Sequence, residues 1–164
     1  MSPILIAAYA LHMAATAVWI GGLITLGFLL PVLDRPAPAS DRAAAGVRRS
    51  RRFLPIAWLC LAAFVASGLI QMSASPRYTG LLSIESTWSV ALLVKHLIVA
   101  AMTGLLAYQT WVVHPWLERM ALGLAPADAP TRRRLEARDR AVLRASALLG
   151  IVVLVLTAVA RVSA

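Results

Sequence analysis

Three histidines and one lysine fall inside long apolar stretches of the sequence: His12, Lys95, His96 and His114. Ionisable side chains at membrane depth are costly and mark functional sites by default. Neutral imidazole is a good axial ligand of haem iron and a good ligand of copper. His12 and His96 each lie eight residues into an apolar run, so both sit roughly 12 Å from the same membrane boundary. We therefore predict that they ligate a metal centre together.

Small side chains accompany both histidines at helical spacing. The stripe beside His12 comprises Ala8, Ala15, Thr16, Trp19 and Gly22, and the stripe beside His96 comprises Ser89, Ala100, Thr103 and Ala107. Such stripes leave room for a flat ligand, although small residues also let helices pack closely. The ligand that we favour is haem b used for electron transfer, and a copper ion is the alternative.

The other candidates have competing interpretations. Lys95 either snorkels to the surface, serves an anionic group such as a haem propionate, or is itself a ligand when neutral. His114 is interpreted as an interfacial residue at the far end of the same run. The carboxylates are assigned to loops and helix ends, so no acid is expected at mid-membrane: Asp34, Asp41, Glu85, Glu118, Asp128, Glu136 and Asp139. No catalytic constellation of a soluble enzyme is found.

Four apolar runs must position these residues, at about 3–33, 53–73, 88–117 and 141–159. Each is long enough to cross a bilayer, which takes about 20 residues. The chain is 60% hydrophobic with a mean hydropathy of +0.79, which excludes a soluble domain. The sequence therefore predicts an all-α, four-helix transmembrane bundle that forms a single membrane domain over residues 1–164. The first run is expected to be a retained helix and not a signal peptide.

The net charge of +9 lies mostly in two connections between the runs. Residues 35–52 and 118–140 carry six arginines each, whereas residues 74–87 carry one. The positive-inside rule puts the two arginine-rich connections in the cytoplasm. Both termini are then outside, in the periplasm if the membrane is the cytoplasmic (inner) membrane of a bacterial-type cell. This distribution argues against nucleic acid as a partner.

An internal repeat is suggested by three matches that share one offset along the chain. Residues 30–35 (LPVLDR) resemble residues 114–119 (HPWLER), residues 48–52 fall on residues 132–136, and His12 falls on His96. The two halves, about 1–79 and 80–164, would have the same orientation in the membrane. Such parallel repeats are related by an axis along the membrane normal. The repeat thus makes the two histidines symmetry equivalents.

The sequence resembles the CopD-type copper-resistance membrane proteins over about residues 10–110. The resemblance rests on His12 with Val18-Trp19-Ile20-Gly21-Gly22, on residues 52–57 (RFLPIA) with 67–69 (SGL), and on residues 92–95 (LLVK). It implies copper handling in the inner membrane, often described as uptake from the periplasm. It also implies functional roles for His12, Trp19 and Lys95.

A weaker resemblance is to HemJ-type membrane proteins, which bind haem b and oxidise protoporphyrinogen. His12 and Lys95 carry this resemblance, which implies a haem-dependent membrane oxidoreductase. Three functions therefore stay open: a haem b electron-transfer protein, a copper importer or delivery protein, and a non-catalytic subunit of a respiratory complex. The partners they imply are the lipid bilayer, further copies or a larger membrane complex, and a quinone or periplasmic redox partner.

Overall fold

The computed structural model describes residues 2–36, 38–76, 80, 84, 86–124 and 128–162. These residues form four long helices, each long and apolar enough to cross a membrane, and they contain no strand. Helix α1 comprises Pro3–Ile24, a π-helical turn Thr25–Leu29 and Leu30–Leu33, and α2 is Ala39–Ser73. Helix α3 comprises Thr87–Tyr108, a π-helical turn Gln109–Val113 and His114–Ala121, and α4 is Ala129–Val162. The predicted all-α, four-helix architecture is confirmed.

Helices α2 and α4 begin earlier than their apolar runs, at Ala39 and Ala129 instead of about residues 53 and 141. The arginine-rich segments predicted as connections are therefore largely helical. Hydropathy detects the part of a helix that lies in lipid, whereas alanine, arginine and leucine propagate a helix in water as well. Arg77 and Glu85, in the middle connection, lie outside the described residues.

Helix α1 packs along α2 and α4, and α3 packs along α4 and touches α2 over a shorter length. All four helices contribute to one hydrophobic core: Ala15, Trp19, Leu23, Leu54, Ala57, Cys60, Leu61, Met102, Leu106, Leu143, Ala147 and Val153. Large apolar side chains such as Met13 and Leu59 are exposed on the outside of the bundle. That arrangement suits helices whose outer faces meet lipid, because helix backbones leave no polar group unsatisfied there.

The elements of α1 recur in α3 at the offset that carries His12 onto His96. In each, a 22-residue α-helix is followed by a five-residue π-helical turn. A proline comes two residues after each turn, at Pro31 and Pro115. Proline has no N–H to donate to the preceding turn, and π-helical turns commonly relieve such interruptions. This recurrence supports the interpretation of a two-fold repeat.

Candidate functional site

His12 is held against α2 by a hydroxyl and an aromatic ring. Its imidazole stacks on Phe64 with ring centroids 4.2 Å apart, and its Nδ1 lies 3.0 Å from Ser67 Oγ. The Ser67 hydroxyl donates its single hydrogen to Ala63 O, 2.6 Å away, so it accepts from Nδ1–H of His12. The Nε2 of His12 therefore carries a lone pair. A β-carbon at Gly68 would lie 3.3 Å from His12 Cε1, so glycine there lets the ring approach α2.

His96 reaches the same tautomer by a different contact. Its Nδ1 lies 2.6 Å from the carbonyl oxygen of Leu92, one turn earlier in α3. A carbonyl oxygen can only accept, so Nδ1 carries the hydrogen and Nε2 carries the lone pair. The hydrogen bonds that fix the two tautomers are both made through Nδ1. Both rings are partly buried.

Lys95 lies close enough to His12 for the two side chains to interact electrostatically, although they belong to different helices. The lysine is partly buried and has no carboxylate partner within the described part of the chain. Trp19 is 3% exposed and meets Phe64 edge-on at 6.3 Å. The tryptophan therefore backs the ring on which His12 stacks, and it is a core residue. The structure thus brings three of the four predicted residues, His12, Lys95 and Trp19, to one region.

The space at the centre of the bundle is small. A cavity of about 10 Å³ is lined by all four helices: Thr16, Trp19, Ile20, Phe64, Val99, Met102 and Val153. This volume holds about one water molecule, whereas sites for drug-sized ligands need several hundred Å³. The stripe beside His12 meets α2 at Gly22, where a β-carbon would overlap the Phe53 ring. The cavity is too small for a porphyrin, and none of His12, Lys95 and His96 lines it.

A second polar cluster, which the sequence analysis missed, lies at the other end of the bundle. It comprises Ser50, Gln109, His114 and Asp139, each at most 5% exposed. His114 is therefore not the interfacial residue we expected, and Asp139 is not a loop carboxylate. Asp139 Oδ1 lies 2.8 Å from Gln109 Nε2, 3.3 Å from Ser50 Oγ and 3.2 Å from His114 Nε2. Because hydropathy had put the start of α4 near residue 141, Asp139 seemed to lie outside it.

Beside this cluster opens a cavity of about 960 Å³, which we call the vestibule. It is lined by Asp139 and by six arginines: Arg42, Arg49, Arg132, Arg133, Arg140 and Arg144. The arginines come from both α2 and α4, so the two arginine-rich segments lie at the same end of the bundle. Arg144 Nε donates to Gly27 O at 3.1 Å, within the π-helical turn of α1.

Residues 47–160 match the family model described as copper resistance protein D, CopD. The match covers more than half of the chain. The chain belongs to the CopD family. This CopD-family protein is a multi-pass membrane protein with four helices that are apolar enough to span a bilayer. No curated protein and no solved structure matches it. The HemJ resemblance is not confirmed by these comparisons.

The CopD match includes most of the residues described above. Lys95, His96, Ser67 and the whole cluster around His114 lie within it, whereas His12 and Trp19 precede its first residue. Membership associates the protein with copper resistance. Among the described residues, no group of three or more His, Cys, Asp or Glu side chains could hold a metal ion.

Proposed function

We propose that this CopD-family protein handles copper at the membrane by holding a copper ion between His12 Nε2 and His96 Nε2. The observation that carries the proposal is the shared tautomer of the two imidazoles. Histidines that bind metals donate their other N–H to a fixed acceptor, which sets the tautomer and the ring orientation. Here the acceptors are Ser67 Oγ and Leu92 O. A neutral Nε2 with a lone pair is the form that a copper ion needs.

Charge near the pair restricts how the ion is held. A charged Lys95 side chain would repel a copper ion bound at His12. The repulsion would be strong because Lys95 and His12 are both partly buried. We expect Lys95 either to act as a neutral amine ligand or to hold an anion that accompanies the ion. Either role would supply a ligand beyond the two imidazoles. Met13 is not a candidate for this role, because it is 71% exposed on the outside of the bundle.

Copper passage through the bundle is the second candidate function, and two buried sulfur atoms favour it. Met102 follows His96 by six residues, and Cys60 precedes Ser67 by seven. At about 1.5 Å per residue, both lie roughly 10 Å deeper than the histidine pair. Both belong to the same hydrophobic core cluster. Thioether and thiolate sulfur suit Cu(I), so these residues offer a next step for an ion moving inward.

Haem b, with electron transfer or oxidoreductase chemistry, is the alternative ligand at the pair. Lys95 is the observation that favours it, because a lysine without a carboxylate partner could serve a propionate. The small volume of the central cavity argues against a porphyrin inside the bundle. In a purely structural subunit of a respiratory complex, the two imidazoles would bind neither ligand.

We place both termini outside the cytoplasmic membrane. The support is that the arginines of α2 and α4 line one cavity and therefore lie at one end of the bundle. Positive-inside bias makes that end cytoplasmic. Alkaline phosphatase fused to the C-terminus should be active and green fluorescent protein fused there should be dark. The opposite pattern would invert this topology and put the histidine pair in the inner leaflet.

The test of the copper proposal uses metal-free protein purified in detergent. Cu(I) is titrated against a chromogenic chelator with the unmodified protein, His12→Ala, His96→Ala and Met13→Ala. We expect one copper per chain in the unmodified protein and in the lipid-facing control Met13→Ala, and loss of that copper in both histidine variants. Unchanged binding in the histidine variants would overturn the proposal.

The same preparations distinguish copper from haem before any metal is removed. Absorption spectra are recorded for the oxidised and the dithionite-reduced protein. A sharp reduced α band that is lost in both histidine variants would establish a bis-histidine haem. A spectrum without such a band, from cells that make ample haem, would exclude it. Uptake of copper by cells that carry Met102→Leu or Cys60→Ala then tests passage, which we expect to slow while binding at the pair is retained.

A further inference from the structure

The cluster at the arginine-rich end contains a buried imidazole nitrogen that the copper proposal does not use. His114 Nδ1 is buried and has no hydrogen-bond partner among the described residues. We propose that His114 and Asp139 form a proton-binding site, with Nδ1 of His114 as the proton acceptor and the vestibule as the route to it. The site does not depend on copper binding at His12 and His96.

The hydrogen bonds of Asp139 fix where the protons are. Its Oδ1 lies within hydrogen-bond distance of Gln109 Nε2, Ser50 Oγ and His114 Nε2. An oxygen that accepts from several donors is satisfied as part of a carboxylate and not as a hydroxyl. Ser50 Oγ donates its hydrogen to Asp139 Oδ1, so it accepts from Nε2–H of His114 at 3.1 Å. The Nδ1 of His114 is left with a lone pair and no hydrogen.

A lone pair in this setting suits a proton better than a metal ion. A metal ion needs several ligands, and no sufficient group of ligands surrounds His114 within the described residues. A proton needs one lone pair. When Nδ1 accepts a proton from a hydronium ion, the cluster changes from a net charge of −1 to an imidazolium–carboxylate pair of net charge zero. A buried charge is costly unless it is paired, and the Asp139 carboxylate is the group of opposite charge beside His114.

The charged groups on the neighbouring elements decide whether this proton can leave again. Three arginines at this end are neutralised in ion pairs: Arg49–Asp34, Arg51–Glu118 and Arg132–Glu136. Arg133, Arg140 and Arg144 line the vestibule and make its potential positive, as does Arg42, which donates to the Arg35 carbonyl. Their repulsion opposes the attraction of Asp139 for the added proton.

The site belongs to one half of the repeat. At the offset that carries His12 onto His96, the residues equivalent to Gln109 and His114 are Thr25 and Leu30, which offer no equivalent cluster. The π-helical turn Gln109–Val113 ends immediately before His114, and both of its end residues are buried. Such turns are frequent at functional sites because they re-aim side chains. Here the turn brings Gln109 and His114 to the same carboxylate.

The test is a nitrogen-15 NMR titration of histidine-labelled protein in lipid nanodiscs, with His114 assigned by its loss in His114→Gln. We expect the Nδ1 signal of His114 to change from bare to protonated when the sample is acidified, while Nε2 stays protonated. Asp139→Asn should abolish this response, whereas Glu118→Gln, which removes an exposed carboxylate on the same helix segment, should leave it. A constant Nδ1 signal in the folded unmodified protein, or a hydrogen on Nδ1 throughout, would overturn the proposal.

The route is tested separately by hydrogen–deuterium exchange at His114 Nε2. Gly46 lines the vestibule, and a β-carbon there would meet no atom within 4 Å, so Gly46→Phe fills the space without distorting the helix. We expect slower exchange in Gly46→Phe and unchanged exchange in the control Gly21→Phe, whose added side chain also meets open space. Equal exchange in both variants would contradict access through the vestibule. Neither measurement involves copper, so the copper proposal can fail without affecting them.

Discussion

Replacing Ser67 with alanine should weaken copper binding although Ser67 would not touch the ion. The hydroxyl accepts from Nδ1–H of His12 at 3.0 Å and so holds the ring with Nε2 available. Alanine removes the acceptor and keeps the helix. The imidazole can then take the other tautomer or rotate away from Phe64, and both changes remove the lone pair from the site. The loss should appear as lower affinity with the stoichiometry unchanged.

The size of the effect follows from the burial of the hydroxyl. Ser67 is 1% exposed, so water cannot easily replace it. An unsatisfied buried donor costs about 1–3 kcal/mol. Loss of the group that orients a ligating histidine typically lowers metal affinity by about 10–100-fold. A factor of ten corresponds to about 1.4 kcal/mol, so the two ranges agree. We therefore expect the Cu(I) dissociation constant of Ser67→Ala to rise by about 10–100-fold.

The assay is the chelator competition described above, with Ser73→Ala as the matched control. Ser73 lies on the same helix, is exposed, and donates only to Ile70 O. Its replacement should leave the affinity unchanged. If Ser67→Ala binds copper as tightly as the unmodified protein while His12→Ala does not bind it, the orientation argument is wrong. If neither variant changes the affinity, His12 is not a ligand.

Three further predictions concern packing and helix ends. Gly22→Ala should lower the free energy of unfolding in detergent by about 1–3 kcal/mol, because its β-carbon would overlap the Phe53 ring of α2. The control Gly21→Ala should be neutral or stabilising by up to about 1 kcal/mol, because a β-carbon there meets no atom within 4 Å. Trp19→Ala should cost about 3–5 kcal/mol in denaturant unfolding with or without metal, as for a core residue. Hydrogen bonds from Thr131 hold the pKa of the Asp128 carboxyl below its usual value of 3.8. The Asp128 carboxylate therefore stabilises the start of α4 fully above pH 3.8, and this stabilisation is lost as the pH falls through the folded pKa. Hydrogen exchange of the backbone amides in the first turn of α4 should become faster as it is lost.

The four helices could be predicted because they depend on spacing along the chain. An apolar run of more than about 20 residues has few alternatives to a membrane helix. The equal depth of His12 and His96 stays a prediction from the constant offset between the two halves. The π-helical turns repeat at this offset as well, but hydropathy does not distinguish a π-helical turn from an α-helical one.

The contacts of the site could not be predicted, because they join residues that are far apart in sequence. Ser67 is 55 residues from His12, and Ser50 is 89 residues from Asp139. Asp139 also follows a run of arginines, where a carboxylate is expected to be solvated. Its burial depends on α4 beginning at Ala129, well before its apolar run. The role of Gly22 could not be predicted either, because the sequence does not show that the Phe53 ring of α2, and not a ligand, occupies the space beside it.

The two imidazoles share a tautomer, but they are held by different kinds of contact. His96 is oriented by the Leu92 carbonyl of its own helix, so its Nε2 keeps its direction as long as α3 is intact. His12 is oriented by Ser67 and Phe64 of a different helix, so its Nε2 moves with any shift between α1 and α2. The glycine at position 68 leaves the ring close to the α2 backbone and makes that dependence direct. An ion held between the two can therefore be released by moving one ligand, and we expect His12 to be the ligand that moves.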